Sequence, residues 1–357
     1  MKRRICIALA LSHVLACASP VPPKQSPNVN ITDVAPPTVS RARRPVQNRR
    51  GLLTELKLND QRCNKGSDFV DAIARTAPLV VGVAAGELAD NQFAPKELGS
   101  GIILSRSGLI LAHYHTILDF SKIRIRLLDG TVKEAEWLGE DRRSDLVLLK
   151  IEAGDYPEPT LASADTLSIG QWVASLGSPF GLQQSISAGL ISDQSRAYPS
   201  PVESKLVRFV QSDVVIHPGS SGGPLIDACG RIVAMNSAIL GPGMSFSLRI
   251  DEALVIAEKL DSEGEFDRGF AGMTVHHINR QKGASELKIK RVVPNGPAQK
   301  AGIQSGDRIT HVNDEEISTE YRLKWLVAIT EPGEPIRLRI EREGVSSIKN
   351  IEVESSL

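Results

Sequence analysis

The rhythm of hydrophobic and polar positions changes along this chain, and the changes divide it. From about residue 68 the apolar positions fall into short runs rich in Val, Ile and Leu, separated by Gly, Asp and Ser, a pattern that predicts β-strands joined by turns. A first set covers 80–83, 101–104, 109–111, 123–127 and 146–149. After Pro157 and Pro159 a second set covers 172–176, 185–192, 207–211, 223–226 and 232–235. Short strands at regular spacing predict two β-barrels in tandem. Asp251, read as an N-cap, then opens a run with apolar residues at Leu254, Ala257 and Leu260, which predicts a helix closing the region before Gly264. Beyond it, 284–293 alternates like a strand, and 297–303 reads as a short helix with Pro in its first turn and Gly near its end. Ser305-Gly306-Asp307 turns into a strand at 309–313, and 323–329 is apolar enough for a helix. The expected class is mainly β, with a smaller α+β unit at the C-terminal end.

Upstream of 68 the periodicity disappears. Lys2, Arg3 and Arg4 precede an apolar stretch at 5–16, which is too short to span a bilayer and has the size of a signal h-region. Val14-Leu15-Ala16-Cys17 has the form of a bacterial lipobox with Cys17 as the lipidated residue. Ala16-Cys17-Ala18 also fits ordinary cleavage and free secretion, and the anchor is the preferred reading. The segment 18–65 carries seven prolines and five arginines between Pro20 and Arg50, so it is read as a disordered tether. Its arginines could meet anionic lipid or wall polymer, or simply keep a linker solvated. The expected domains are 1–17 signal, 18–65 tether, 66–262 barrels and 263–357 C-terminal unit. With Cys6 in the signal and Cys17 assigned to lipid, Cys63 and Cys229 remain. An exported chain could bridge them, and two free thiols are the preferred reading from sequence.

The 357 residues, 41% hydrophobic and 24% charged, suit a globular protein of two domains and exclude a polytopic membrane protein or a wholly disordered chain. The 42 basic and 42 acidic side chains cancel, but unevenly: residues 1–62 hold 11 basic and 3 acidic groups, +8, and the remainder holds 31 and 39, −8. An acidic body argues against nucleic acid as a partner. Removing 1–16 would take away Lys2, Arg3 and Arg4 and leave the mature chain at −3.

Candidate chemistry concentrates at Gly219-Ser220-Ser221-Gly222-Gly223-Pro224. As G-x-S-x-G this could be the nucleophile elbow of an α/β-hydrolase, but an elbow must open a helix, and here Pro224 leads into a short strand and turn. Two barrels instead predict the order His, Asp, Ser. His115 follows the run at 109–111, and Asp145 opens the run at 146–149. A serine hydroxyl needs a neutral imidazole to take its proton, and the imidazole needs a carboxylate to fix its tautomer. Ser221, His115 and Asp145 supply these groups. His113 and His115 have metal-ligand spacing, but the sequence offers no third ligand, so no metal and no cofactor is expected. His217, before Pro218, reads as a loop residue.

With Gly99-Ser100-Gly101-Ile102-Ile103 and Gly177-Ser178-Pro179-Phe180-Gly181, these segments resemble the trypsin-like serine proteases of the HtrA/Deg family over about 68–355. The resemblance implies a chymotrypsin-like fold of tandem six-stranded β-barrels, endopeptidase activity by an acyl-enzyme mechanism, and an oxyanion hole from the N–H groups of Gly219 and Ser221. It also places Ile216 and Ile239 at the S1 pocket, implying cleavage after Val, Ala, Ile or Leu. The family usually has Thr-Asn-x-His before its catalytic His and Asn before its catalytic Ser; here Ala112-His113-Tyr114 and Ser220 stand instead. The last ninety residues resemble a PDZ domain, with Phe270, Ala271 and Gly272 in the loop that takes a peptide's C-terminal carboxylate. Arg196 aligns with an arginine that couples PDZ and protease in the family. The implied partners are unfolded or signal-bearing envelope proteins, peptide C-termini and two further copies in a homotrimer, with the membrane reached through a lipid anchor. The competing class is a catalytically inactive protease-like PDZ adaptor that binds peptides, suggested by Ala112 and Ser220.

Overall fold

The computed structural model describes residues 56–356 apart from 90–91, 119, 121, 179–183, 198–205 and 279–285. The signal segment, Cys17, most of the tether, Pro179-Phe180-Gly181 and Ala284-Ser285 lie outside the described residues. A short helix α1 (Val70–Thr76) leads into seven antiparallel strands: β1 (Val80–Ala89), β2 (Gln92–Ile103), β3 (Leu109–His113), β4 (Lys122–Arg126), β5 (Val132–Glu134), β6 (Glu136–Asp141) and β7 (Leu146–Lys150). They form one barrel-like sheet in the order β5-β4-β1-β2-β3-β7-β6. Six further strands close a second barrel: β8 (Trp172–Gly177), β9 (Ser185–Arg196), β10 (Phe209–Ser212), β11 (Pro224–Asp227), β12 (Ile232–Gly241) and β13 (Met244–Arg249). The two-barrel expectation holds, with one difference in strand count. Residues 132–134 are too short and too exposed to show an apolar run, yet they extend the β4 edge and make the first sheet seven-stranded.

Each barrel is built on the period-2 logic of its strands, except where both faces are covered. Helix α2 (Ile250–Ser262) leaves the second barrel and packs back on β6 and β7 through Ile250, Ala253, Ile256, Ala257 and Leu260. β7 is therefore covered on both sides, which is why 146–149 is a continuous apolar run rather than an alternating one. Asp251 is not the N-cap of α2 as expected. Arg249 holds that position, and Asp251 sits in the first turn, where its carboxylate pairs with Arg249 at 2.6 Å and accepts the Ser163 hydroxyl at 2.6 Å. An acidic group there also suits the positive end of the helix dipole.

The last part of the expected tether, 56–65, is among the described residues and is not a free linker. Residues 56–65 lie on the second barrel: Asn59 N–H donates to the Leu161 carbonyl at 2.7 Å, and Arg231, buried and paired with Asp227, donates to the carbonyls of Asn59 and Gln61. Cys63 is bridged to Cys229, so the sequence preference for free thiols is overturned. The two sulfurs meet because Asp227, accepting N–H groups from Cys229 and Arg231, folds 227–231 into a tight turn under this segment.

The C-terminal domain holds β14 (Gly269–Phe270), β15 (Met273–Ile278), β16 (Glu286–Val292), α3 (Pro297–Lys300), β17 (Arg308–Val312), β18 (Glu315–Glu316), α4 (Glu320–Ile329), β19 (Pro335–Arg342), β20 (Val345–Glu352) and β21 (Glu354–Ser355). Its main sheet runs β15-β16-β17-β19-β20, and β14 pairs with β21. Thr319 caps α4, accepting the Arg322 N–H on its hydroxyl. α4 is apolar on two sides because it serves two cores. Leu323 and Val327 enter the domain's own cluster, whereas Trp325 joins the cluster that contains α2 and the first sheet.

Candidate active site

The candidate triad comes from three separate turns, two on the first sheet and one on the second barrel. β3 ends at His113, and the chain enters a single 3-10 turn, Tyr114–Thr116, that carries His115. Its partner arrives from the turn before β7. Asp145 is held at φ +57°, with the Tyr114 N–H donating to its carbonyl at 3.0 Å. In that position the carboxylate accepts the His115 N–H on Oδ1 at 2.8 Å and the His115 Nδ1–H on Oδ2 at 2.5 Å. A carboxylate only accepts, so this contact puts the ring proton on Nδ1 and leaves Nε2 as a free base. Burial pushes the Asp145 carboxyl up, but hydrogen bonds and charge from His113 and then His115 outweigh it and hold the group well below the usual carboxylate range.

Ser221 sits in the loop between β10 and β11. Gly219 and Gly222 adopt φ +93° and +91°, and a Cβ on Gly222 would stand 2.0 Å from the Ser100 carbonyl oxygen. The Ser100 N–H donates to the Ser221 carbonyl at 2.8 Å, and its hydroxyl donates to the Gly219 carbonyl at 2.6 Å while accepting Ser178 N–H at 2.8 Å. Thus one fully buried serine of the Gly99-Ser100-Gly101 motif pins the nucleophile loop to the first sheet, a role the motif's presence in sequence did not specify. Among the described residues the N–H groups of Gly219 and Ser221 have no acceptor, whereas their neighbours Ser220, Gly222 and Gly223 all donate to carbonyls. The Ser221 hydroxyl donates to the Ser237 carbonyl at 3.2 Å and not to His115.

The other sequence candidates separate. Ile216 is buried in the core of the second barrel with Val210, Val214 and Leu225, while Ile239 on β12 is 44% exposed, so the two do not share an apolar cluster. Arg196 pairs with Asp193 on its own strand at 3.1 Å. Asp145 supplies the third ligand type that the sequence could not place beside His113 and His115. Both His113 nitrogens already face carbonyl oxygens, so that cluster is not open to a cation.

Phe270, Ala271 and Gly272 border a cavity of about 290 Å³ between α4 and β15, an edge strand of its sheet. Met273, Val275, Leu323 and Val327 give it an apolar wall. The N–H groups of Ala271 and Gly272 have no acceptor among the described residues, while their carbonyls accept from Ala298 and Val293 at 2.9 and 2.8 Å. A free strand edge beside unpaired N–H groups has the geometry to hold an extended peptide ending in a carboxylate.

Fold and site together define a trypsin-like peptidase domain followed by a peptide-binding PDZ domain. The trypsin-like peptidase domain family matches residues 99–235, and the PDZ domain family matches 269–354. A probable periplasmic serine endoprotease, DegP-like, of Pseudomonas fulva is 38% identical over 262 residues, 70% of this chain and 54% of that protein. Its counterpart in Ectopseudomonas mendocina is 36% identical over 261 residues, 70% of this chain and again 54% of that protein. The chain thus spans about half the length of the curated relatives it matches. Among solved structures, a serine endoprotease from Yersinia pestis is 30% identical with a TM-score of 0.60, covering 82% of this chain and 99% of that one. The HtrA-type protease AlgW with a tripeptide is 28% identical with a TM-score of 0.71, covering 81% and 98%. The chain belongs to the HtrA/DegP-like family of serine endoproteases.

Proposed function

We propose that the protein is an exported serine endopeptidase of the periplasm that cuts unfolded or signal-bearing proteins. The observation that carries this is the His115–Asp145 pair, proton on Nδ1 and Nε2 free, together with a serine loop pinned to the same sheet whose Gly219 and Ser221 N–H groups have no acceptor among the described residues. In this reading the Ser221 hydroxyl turns from the Ser237 carbonyl toward His115 Nε2 and gives up its proton as it attacks the peptide carbonyl. Asp145 stabilises the imidazolium that results, and the N–H groups of Gly219 and Ser221 receive the oxyanion. The proton passes to the leaving amine, and water, activated by the same ring, releases the acyl group from Ser221.

Ile239, exposed on β12, is the proposed S1 wall, favouring Val, Ala, Ile or Leu before the cut. Phe270, Ala271 and Gly272 are the proposed carboxylate loop, and Arg196 the proposed regulatory contact. Cys17 as a lipid anchor, on its lipobox-like motif, and a homotrimeric assembly, on family resemblance, belong to the same proposal.

One observation favours the second reading, an inactive PDZ adaptor: the Ser221 hydroxyl is turned away from the base. Casein incubated with the protein and with Ser221→Ala separates the two. Cleavage by the first alone is expected, as is covalent labelling of Ser221 by a fluorophosphonate; no cleavage and no label would leave the adaptor.

A further inference from the structure

His113 stands where the family pattern has asparagine, and the contacts of its ring are unusual. The side chain is 1% exposed and stacks on His115, ring centroids 5.2 Å apart. Nδ1 lies 2.8 Å from the Asp145 main-chain oxygen and 3.3 Å from its carboxylate Oδ2, and Nε2 lies 3.0 Å from the Asn236 main-chain oxygen. All three oxygens can only accept. A neutral imidazole has one N–H, so one of these contacts would set a ring lone pair against a carbonyl oxygen. Only the doubly protonated ring satisfies both ends. Burial opposes that charge, but the Asp145 carboxylate beside Nδ1 and the two carbonyls more than compensate, and His113 titrates above the ordinary histidine value.

The Asn236 oxygen also accepts the N–H of Gly222, the residue after Ser221, at 2.8 Å. The Asn236 side chain is itself fixed by Ser175, Leu176, Pro224 and Ser247. His113 therefore spans from the acid of the first barrel to the anchor of the serine loop on the second. The charged or titratable groups facing it are Asp145, from the turn into β7, and His115, on its own turn. β12 presents Asn236 and the serine loop Gly222, both uncharged.

We propose that His113 is a positioning residue, a buried imidazolium that shares Asp145 with His115, braces the two halves of the site and acts as a brake on the base. This rests on the triad reading above. With His113 charged, Asp145, His113 and His115 sum to zero at rest and to +1 once His115 takes the serine proton. With His113 neutral the same transfer runs from −1 to zero. A fixed charge about 5 Å away opposes the developing imidazolium, and the brake lifts as His113 loses its proton.

Two measurements test this. In 15N-histidine-labelled protein near pH 7, His113 should show two bonded ring N–H signals that persist above the ordinary histidine range; one N–H would overturn the charge assignment. That spectrum needs no catalysis, so it stands apart from the failure of the triad, which absent Ser221 labelling would reveal. In the second, kcat/KM is followed against pH for the parent, His113→Asn and His113→Gln. The parent should need two ionisations to reach full rate and each folded variant only one, with rates near pH 7 about three- to tenfold above the parent. A variant that keeps both ionisations, or one that is slower than the parent at every pH, would overturn the brake.

Discussion

Replacing Cys63 and Cys229 with serine tests how the end of the N-terminal segment is held to the barrels. The bridge joins positions 166 residues apart, so it closes a loop of that order in the unfolded chain. A closure entropy of about −2.1 − 1.5R ln n gives about −17 cal/mol/K, on the order of 5 kcal/mol at 25 °C. The non-covalent attachments of the segment, from Asn59 to Leu161 and from Arg231 to Asn59 and Gln61, persist in the variant. The native arrangement should therefore survive, and the loss should arise from a freer unfolded chain. For a barrel pair of roughly 200 residues each kcal/mol moves Tm by about 2–4 °C, so a fall of about 10–20 °C is expected. Calorimetry of the parent, the double Cys→Ser variant and the parent with reductant measures it, and the last two should coincide. A fall under about 2 °C in the variant, with no response of the parent to reductant, would refute the reasoning.

Three further outcomes are expected. Asp145→Asn keeps the side-chain shape but loses the paired acceptors that fix His115 Nδ1–H, so kcat should drop by about 10⁴-fold in a fluorogenic peptide assay; a loss under about tenfold would put the acid elsewhere. Glu252 is pushed by burial up to about 7 from 4.5, although the Tyr321 hydroxyl, the Arg208 N–H and the Arg249 charge favour its ionised form. A carboxyl raised on folding contributes stability below its unfolded value that is lost as pH rises through the folded one, here on the order of 3 kcal/mol between about pH 4.5 and 7. Urea midpoints of Glu252→Gln should lack that slope, and a slope equal to the parent's would exclude Glu252 as its source. Gly269→Ala sets a Cβ 2.2 Å from the Val327 carbonyl oxygen and 2.4 Å from Val353, so β14 must shift. A fluorescent peptide with an apolar C-terminal residue should bind this variant at least about tenfold more weakly by anisotropy, and unchanged affinity would remove the groove from the reading.

The parts of the site legible in the sequence are those whose chemistry is local. The glycines around Ser221 are needed for the loop's own backbone, and Asp145 and His115 each sit where a strand meets a turn, so pattern and spacing sufficed. The docking of 56–65 was not legible, because its cause lies in a turn at 227–231 and nothing in the Pro- and Arg-rich composition before it signals a landing site. The same holds for His113. Read alone it is a histidine at a strand end; its character comes from Asp145 and Asn236, 32 and 123 residues away, which only the closed fold brings to its two nitrogens. Ile216 shows the opposite failure, since an apolar residue near the serine loop could line a pocket or fill a barrel, and burial in the second core decides for packing.

A physical link between the peptide groove and the candidate acid also runs through residues that no motif marks. Arg268 immediately precedes the Gly269–Phe270 strand beside the groove, and it is buried with its guanidinium on Asp141 and the Ser144 hydroxyl. Asp141 ends β6, its carboxylate also caps the Ser144 N–H at 3.2 Å, and Ser144 is the residue before Asp145. A buried cation cannot leave its partner cheaply, because an uncompensated charge would remain, at about 3–5 kcal/mol for breaking a buried pair. A carboxylate that displaced the loop on binding would therefore act first on the 141–145 turn, whose φ +57° at Asp145 directs the carboxylate to both histidines. Arg143, in the same turn, lines the groove itself and reaches Ser356 at 3.3 Å. By contrast Arg196, expected from resemblance to carry such coupling, has its described partner on its own strand. The described connections from groove to acid thus run through Arg268 and Arg143 to the 141–145 turn, and they enter the site through Asp145 and not through the serine loop.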